Sequence, residues 1–161
     1  MSKSDTTHLT KFLKPFAPEV RRLAMEIREF IWDNFPKTNE LIYDNYNAVA
    51  VGWSPTDRVG HVFCSIAIGR SNGGIHFGFY WGSKIKDPKK LLLGEGNQYR
   101  FIRVANFEDL PVAYLKKLMR EAHAYSLGLV KDKSQIMSGE TIMKSVSEKK
   151  RPAAKKKTSR K

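Results

Sequence analysis

Val20, Leu23, Ile27, Phe30 and Ile31 recur at spacings of three, four, three and one, the apolar stripe of an amphipathic helix. Pro18 suits a first helical position, Glu19 puts an acid at the positive end of the helix dipole, and Pro36 cannot continue the turn. The pattern predicts a helix over 18–35. Ahead of it, Leu9, Phe12, Leu13 and Phe16 are scattered through a polar stretch that reads as an arm with room for one helical turn.

From residue 39 the period changes to two. Glu40–Asp44 is a short strand candidate. Val49, Val51 and Trp53 alternate with Ala48, Ala50 and Gly52; Val62, Cys64, Ile66 and Ile68 with Phe63, Ser65 and Ala67; Ile75, Phe77, Phe79 and Trp81 with His76, Gly78 and Tyr80. Ser54–Asp57 and Ser71–Gly74 supply turn chemistry. If both apolar sets of the central hairpin share a face, Ile68 pairs with Phe77, Ile66 with Phe79, Ala67 with Gly78 and Ser65 with Tyr80. The opposite face is then paved with small residues.

Asp87-Pro88 and Gly94 bracket a short helix at 88–93. Tyr99–Ala105 is a fifth strand. Asp109 begins a second long helix, 110–127, burying Leu115, Leu118, Met119 and Ala122, with Gly128 as its end. The order helix, about five strands, helix predicts an α+β two-layer sandwich: an antiparallel sheet with both helices on one face. One domain is expected over 1–130, its core at 18–128.

Charge changes the picture at one end. The chain of 161 residues carries +13, and residues 148–161 hold eight Lys or Arg against one acid. Without Leu, Ile, Val or aromatic residues there, the basic end is expected to lie in a largely disordered tail, 131–161, and loss of residues 148–161 is expected to leave the domain's stability unchanged. Lys149, Lys150, Arg151, Lys155, Lys156, Lys157, Arg160 and Lys161 would bind nucleic acid through phosphates without reading bases. No run of ~18 apolar residues suggests a membrane span, and the N-terminus lacks the apolar region of a secretory signal. A cytoplasmic protein is the expectation. The single cysteine, Cys64, excludes an internal disulfide, and its place in an apolar strand set marks it as a buried thiol.

The block Asp87-Pro88-Lys89-Lys90-Leu91-Leu92-Leu93-Gly94-Glu95-Gly96, running on to Arg100-Phe101-Ile102, resembles the YdhG-like family of small bacterial domains. Glu40-Leu41-Ile42-Tyr43 and the later Phe-Gly-Phe-Tyr strand are similar to the same family. The resemblance covers roughly residues 18–128 and implies a frataxin-like fold, with iron as the implied cofactor or cargo of a non-catalytic iron chaperone. Acids on the first helix and strand would then hold the metal: Glu26, Glu29 and Asp33, with Glu40 and Asp44 extending the line. Glu19, Glu26, Glu29 and Asp33 fall within about 80° of helix arc, but Arg22 lies in the same stripe and offers ion pairs with Glu19 and Glu26 instead. Four histidines, His8, His61, His76 and His123, show no metal-ligand spacing. No nucleophile–base–acid arrangement appears, so a binding protein is expected over an enzyme. The small-residue sheet face, with Phe63, His76 and Tyr80 at its margins, offers a surface for a flat ligand or a protein partner.

Overall fold

Leu9, Phe12 and Leu13 fall on one side of a short helix, α1 (Thr7–Leu13), and all three are buried in the computed structural model, which describes residues 3–154. The arm is therefore part of the core. Helix α2 follows at Pro18–Asn34, with proline in its first turn as the sequence requires. The strands are β1 (Asn39–Asp44), β2 (Ala48–Ser54), β3 (Cys64–Gly69), β4 (Ile75–Phe79) and β5 (Arg100–Val104); the second long helix, α3, spans Val112–Leu129. It begins two residues later than expected and runs through Gly128.

The fold is α+β, and among the described residues its sheet has six strands, β5-β4-β3-β2-β1 in order and a sixth beside β1. The sixth, β6 (Thr141–Val146), pairs in parallel with β1, so the sheet is mixed and not purely antiparallel. It lies inside the segment expected to be tail. Asn39 accounts for the docking: its amide donates to Ser54 O and Met137 O, and its side-chain oxygen accepts from Glu140 N–H. Beyond β6, Ser147, Arg151 and Ala154 donate backbone bonds to Asp44, Tyr46 and Arg70. An uncovered β1 would leave a row of backbone donors and acceptors unpaired, and the C-terminal segment removes that defect. The expectation of disorder from residue 131 therefore fails for 131–154, while Lys155, Lys156, Lys157, Arg160 and Lys161 lie outside the described residues.

Val49, Val51 and Trp53, Ile66 and Ile68, and Phe77 and Phe79 face one cluster with Leu23, Ile27 and Ile31 of α2 and Leu115, Leu118 and Met119 of α3. Both long helices thus cover the same face. The β3–β4 register differs from expectation by two residues: Ile68 pairs with Ile75, Ile66 with Phe77, Ala67 with His76 and Ser65 with Gly78. Gly69 N–H donates to Gly74 O at 2.9 Å, and Gly73 takes φ 70° in the loop, so pairing starts nearer the turn. An even slip keeps every side chain on its face.

The block at 87–96 forms a loop, not a helix. Asp87 turns its carboxylate onto the N–H groups of Leu91 and Leu92 and accepts from the Tyr114 hydroxyl. Among the described residues no helix is long and apolar enough to cross a membrane.

Candidate functional site

The carboxylates proposed for metal do not share a site. Alternation along β1 sends Glu40 and Asp44 to the helix-covered face, beside Ile42, and both are fully buried. Buried charges need partners. Arg28 of α2 donates Nε to Glu40 Oε2 at 2.6 Å and Nη2 to Oε1 at 2.9 Å, and the Thr141 hydroxyl adds a bond at 2.8 Å. Asp44 is paired with Arg70 on one oxygen and Lys150 on the other. Glu29 and Asp33 lie by Lys3, whose ammonium is raised above its ordinary pKa chiefly by its hydrogen bond to Asp33. Glu26 stands apart, lining a groove described below. Among the described residues no three His, Cys, Asp or Glu side chains group as a metal site.

The other sheet face is partly covered. A β-carbon on Gly52 would touch the Val62 methyls at 3.0 Å, and one on Gly78 would meet the Tyr99 hydroxyl at 2.2 Å. Val62 and Tyr99 therefore lie on these glycines. Phe63, expected at the margin of this face, is instead fully buried. Its ring packs 5.0 Å from that of Phe35 and 4.9 Å from that of His123. Alternation breaks at 62–63, where Val62 takes the outer side and Phe63 the core.

His76 lies on the face opposite the helices, as the alternation expects, and pairs with Ala67 where the expected register set it against Gly69. Its ring stacks on Phe101 with centroids 4.2 Å apart and planes at 15°; Phe101 in turn lies 5.6 Å from Tyr99 at 17°. The Arg103 guanidinium sits 5.5 Å over the Phe101 ring. Burial, and then Arg103, hold the His76 imidazole below its ordinary pKa, so it is neutral at pH 7. Burial raises the Tyr99 phenol, against a hydrogen bond with Ser65. Tyr80 is half-buried and packs edge-on against Trp81 at 5.4 Å. Burial, and secondarily Tyr80, raise the Tyr43 phenol, whose hydroxyl finds no partner among the described residues.

The row of rings ends at a groove of about 1040 Å³. Ala48, Ala67 and Gly69 line it from the sheet, His76 and Arg103 from the ring row, and α2 contributes Glu19, Arg22 and Glu26. One face of His76 is against Phe101, and the same residue borders open space floored by side chains too small to fill it. That arrangement leaves open space beside His76, with Arg22 and Arg103 among the residues that line it. Sequence reasoning found His76 and the small residues. It missed Tyr99 and Phe101, although Tyr99, just before β5, alternates with Arg100, and Phe101 and Arg103 with Ile102 and Val104.

Compared with models of known protein families, with curated proteins and with solved structures, the chain matches none of them.

Proposed function

We propose that this protein is a non-catalytic nucleic-acid-binding domain that takes single strands on its uncovered sheet face. The observation that carries this reading is the near-parallel row Tyr99–Phe101–His76, flanked by Arg103 and ending at the groove. Single-stranded binders combine ring faces for bases with cations for phosphates, and unpaired bases, unlike those of a duplex, are free to stack. The Lys/Arg-rich C-terminus adds sequence-independent attraction to phosphate. Glu19, Glu26 and Glu108 also line the groove, which directs the phosphate backbone toward Arg103 and away from α2.

The same proposal keeps the YdhG-like, frataxin-like reading of the domain. It is supported by the helix–meander–helix order and by both long helices lying on one face, with β6 added at the β1 edge. Iron binding has weaker support, because guanidinium groups occupy Glu40 and Asp44, and Lys3 lies against Glu29 and Asp33.

The test is fluorescence anisotropy of a labelled single-stranded oligonucleotide titrated with protein over a range of salt. Alanine at His76 and Phe101 together should weaken binding by roughly 5–150-fold for each base that no longer stacks without changing the salt slope. Ending the chain at residue 154 removes five cations and should flatten the slope by about 0.7 for each phosphate no longer neutralised. Wild-type affinity in the ring variant would reject the sheet face as the site.

A further inference from the structure

Residues 84–93, Lys-Ile-Lys-Asp-Pro-Lys-Lys-Leu-Leu-Leu, form a braced loop outside the β5 edge. Leu93 exchanges two backbone hydrogen bonds with Phe101, at 2.7 and 3.1 Å. Asp87 ties the loop to the N–H groups of Leu91 and Leu92 and to Tyr114. Burial alone would raise the Asp87 carboxyl, but these bonds outweigh it and hold the group below its usual range, ionised. Lys90 adopts φ 52°, the left-handed region that a lysine enters only when its surroundings impose it. Leu92 is turned to the core, while its neighbours Leu91 and Leu93 are each 40% exposed. Lys84, Lys86, Lys89 and Lys90 are exposed around them. Glu121, which accepts from Lys86 N–H, and Glu95 are the nearby acids.

We propose that this loop is a docking surface for an anionic lipid bilayer. The two leucines enter the interfacial zone, and the lysines meet headgroup phosphates. Charge complementarity selects an anionic partner, and the leucines select its kind: they add nothing to a phosphate chain in water, but each gains from burial in a lipid interface. A stable protein partner would need about 800 Å² of matched surface on each side, far more than two half-exposed leucines present. A fluid bilayer needs no matched shape.

Sedimentation of the full chain with vesicles tests this, comparing phosphatidylcholine alone with phosphatidylcholine containing phosphatidylserine. The wild type should bind the anionic vesicles. A Leu91→Ser, Leu93→Ser variant, with unchanged charge, should lose about tenfold or more of that affinity, while its circular dichroism and oligonucleotide binding stay unchanged. Tryptophan placed by Leu91→Trp should show blue-shifted emission with anionic vesicles. Equal vesicle binding by the serine variant would show that charge alone is responsible and would overturn the proposal. Unshifted Leu91→Trp emission would do the same. If the serine variant lost oligonucleotide affinity but kept vesicle affinity, the loop would belong to the nucleic-acid surface instead.

Discussion

Arg28 and Glu40 form a bidentate ion pair between α2 and β1, with both side chains buried. The carboxylate sits on the core face of a strand, so the pair holds α2 in place while forcing a charge to be matched inside the protein. The geometry satisfies both groups, and removing either leaves the other buried without its counter-charge.

Arg28→Met is therefore expected to cost about 3–5 kcal/mol in urea denaturation, because Glu40 stays buried without its counter-charge. The double change Arg28→Met, Glu40→Met should recover most of that loss, since no buried charge remains. A cost for the single variant below about 1 kcal/mol, the ceiling for most exposed pairs, would show that water reaches Glu40.

Lys150 separates a structural basic residue from its exposed neighbours. Its ammonium pairs with buried Asp44 and lies 5.4 Å from the centre of the Phe12 ring, whereas among the described residues the Lys149 side chain makes no comparable ion pair or ring approach. Lys150→Ala should destabilise the domain by roughly 1–3 kcal/mol, and Lys149→Ala should leave its melting temperature within error. The sequence-based expectation that residues 148–161 contribute no stability is corrected accordingly. Equal melting of the two variants would mean that Arg70 alone satisfies Asp44.

The legible parts of this fold are those where apolar burial writes the pattern. α2 and the facing of β2, β3 and β4 follow from periodicity, and a slip of one residue would have put Ile66 or Phe77 in water. A slip of two leaves the faces intact, so the register depended on how Gly69 and Gly74 close the turn, which periodicity does not record. β6 was illegible for the opposite reason. Thr141–Val146 buries little apolar surface, Met143 and Val146 remaining 46% and 45% exposed, and it docks through the backbone edge of β1 and the amide of Asn39. Asp87-Pro88 misled because an aspartate before proline signals a helix cap and a side-chain-capped loop alike. At the candidate site His76 was visible in the alternation. Tyr99 and Phe101 were not, because the facing of β5 follows from its pairing with β4.

Stability should fall on mild acidification. Burial holds His61, His76 and His123 below the ordinary imidazole pKa, with Arg58 adding to the effect at His61 and Arg103 at His76. The unfolded chain therefore binds protons that the folded chain refuses, and stability rises with pH across the imidazole range. It is complete above the unfolded value of about 6.5 and is lost as pH falls through it. Asp87 and Asp132, held low by hydrogen bonds that outweigh burial, act only at more acidic pH. Denaturation midpoints compared at about pH 7.5 and 5.5 check this. His123→Leu, replacing an imidazole packed between Phe35 and Phe63, should flatten the dependence, and an unchanged profile would remove His123 from the account.

Gly78→Ala tests the uncovered face directly. The new β-carbon would lie 2.2 Å from the Tyr99 hydroxyl and 2.5 Å from two of its ring carbons, so the phenol must leave its seat on β4. That movement breaks the Tyr99–Phe101 stack and exposes the Tyr99 hydroxyl. Overpacking of this kind costs about 1–3 kcal/mol. Spectrophotometric titration should show one tyrosine returning from a raised pKa toward its ordinary value. Gly52→Ala meets the Val62 side chain instead, its methyls at 3.0 Å, and should leave the phenol titration as it was. If Tyr99 titrates identically in wild type and Gly78→Ala, the ring does not rest on Gly78 and the row lacks its first member. If it moves and oligonucleotide affinity falls with it, the stack binds as a unit.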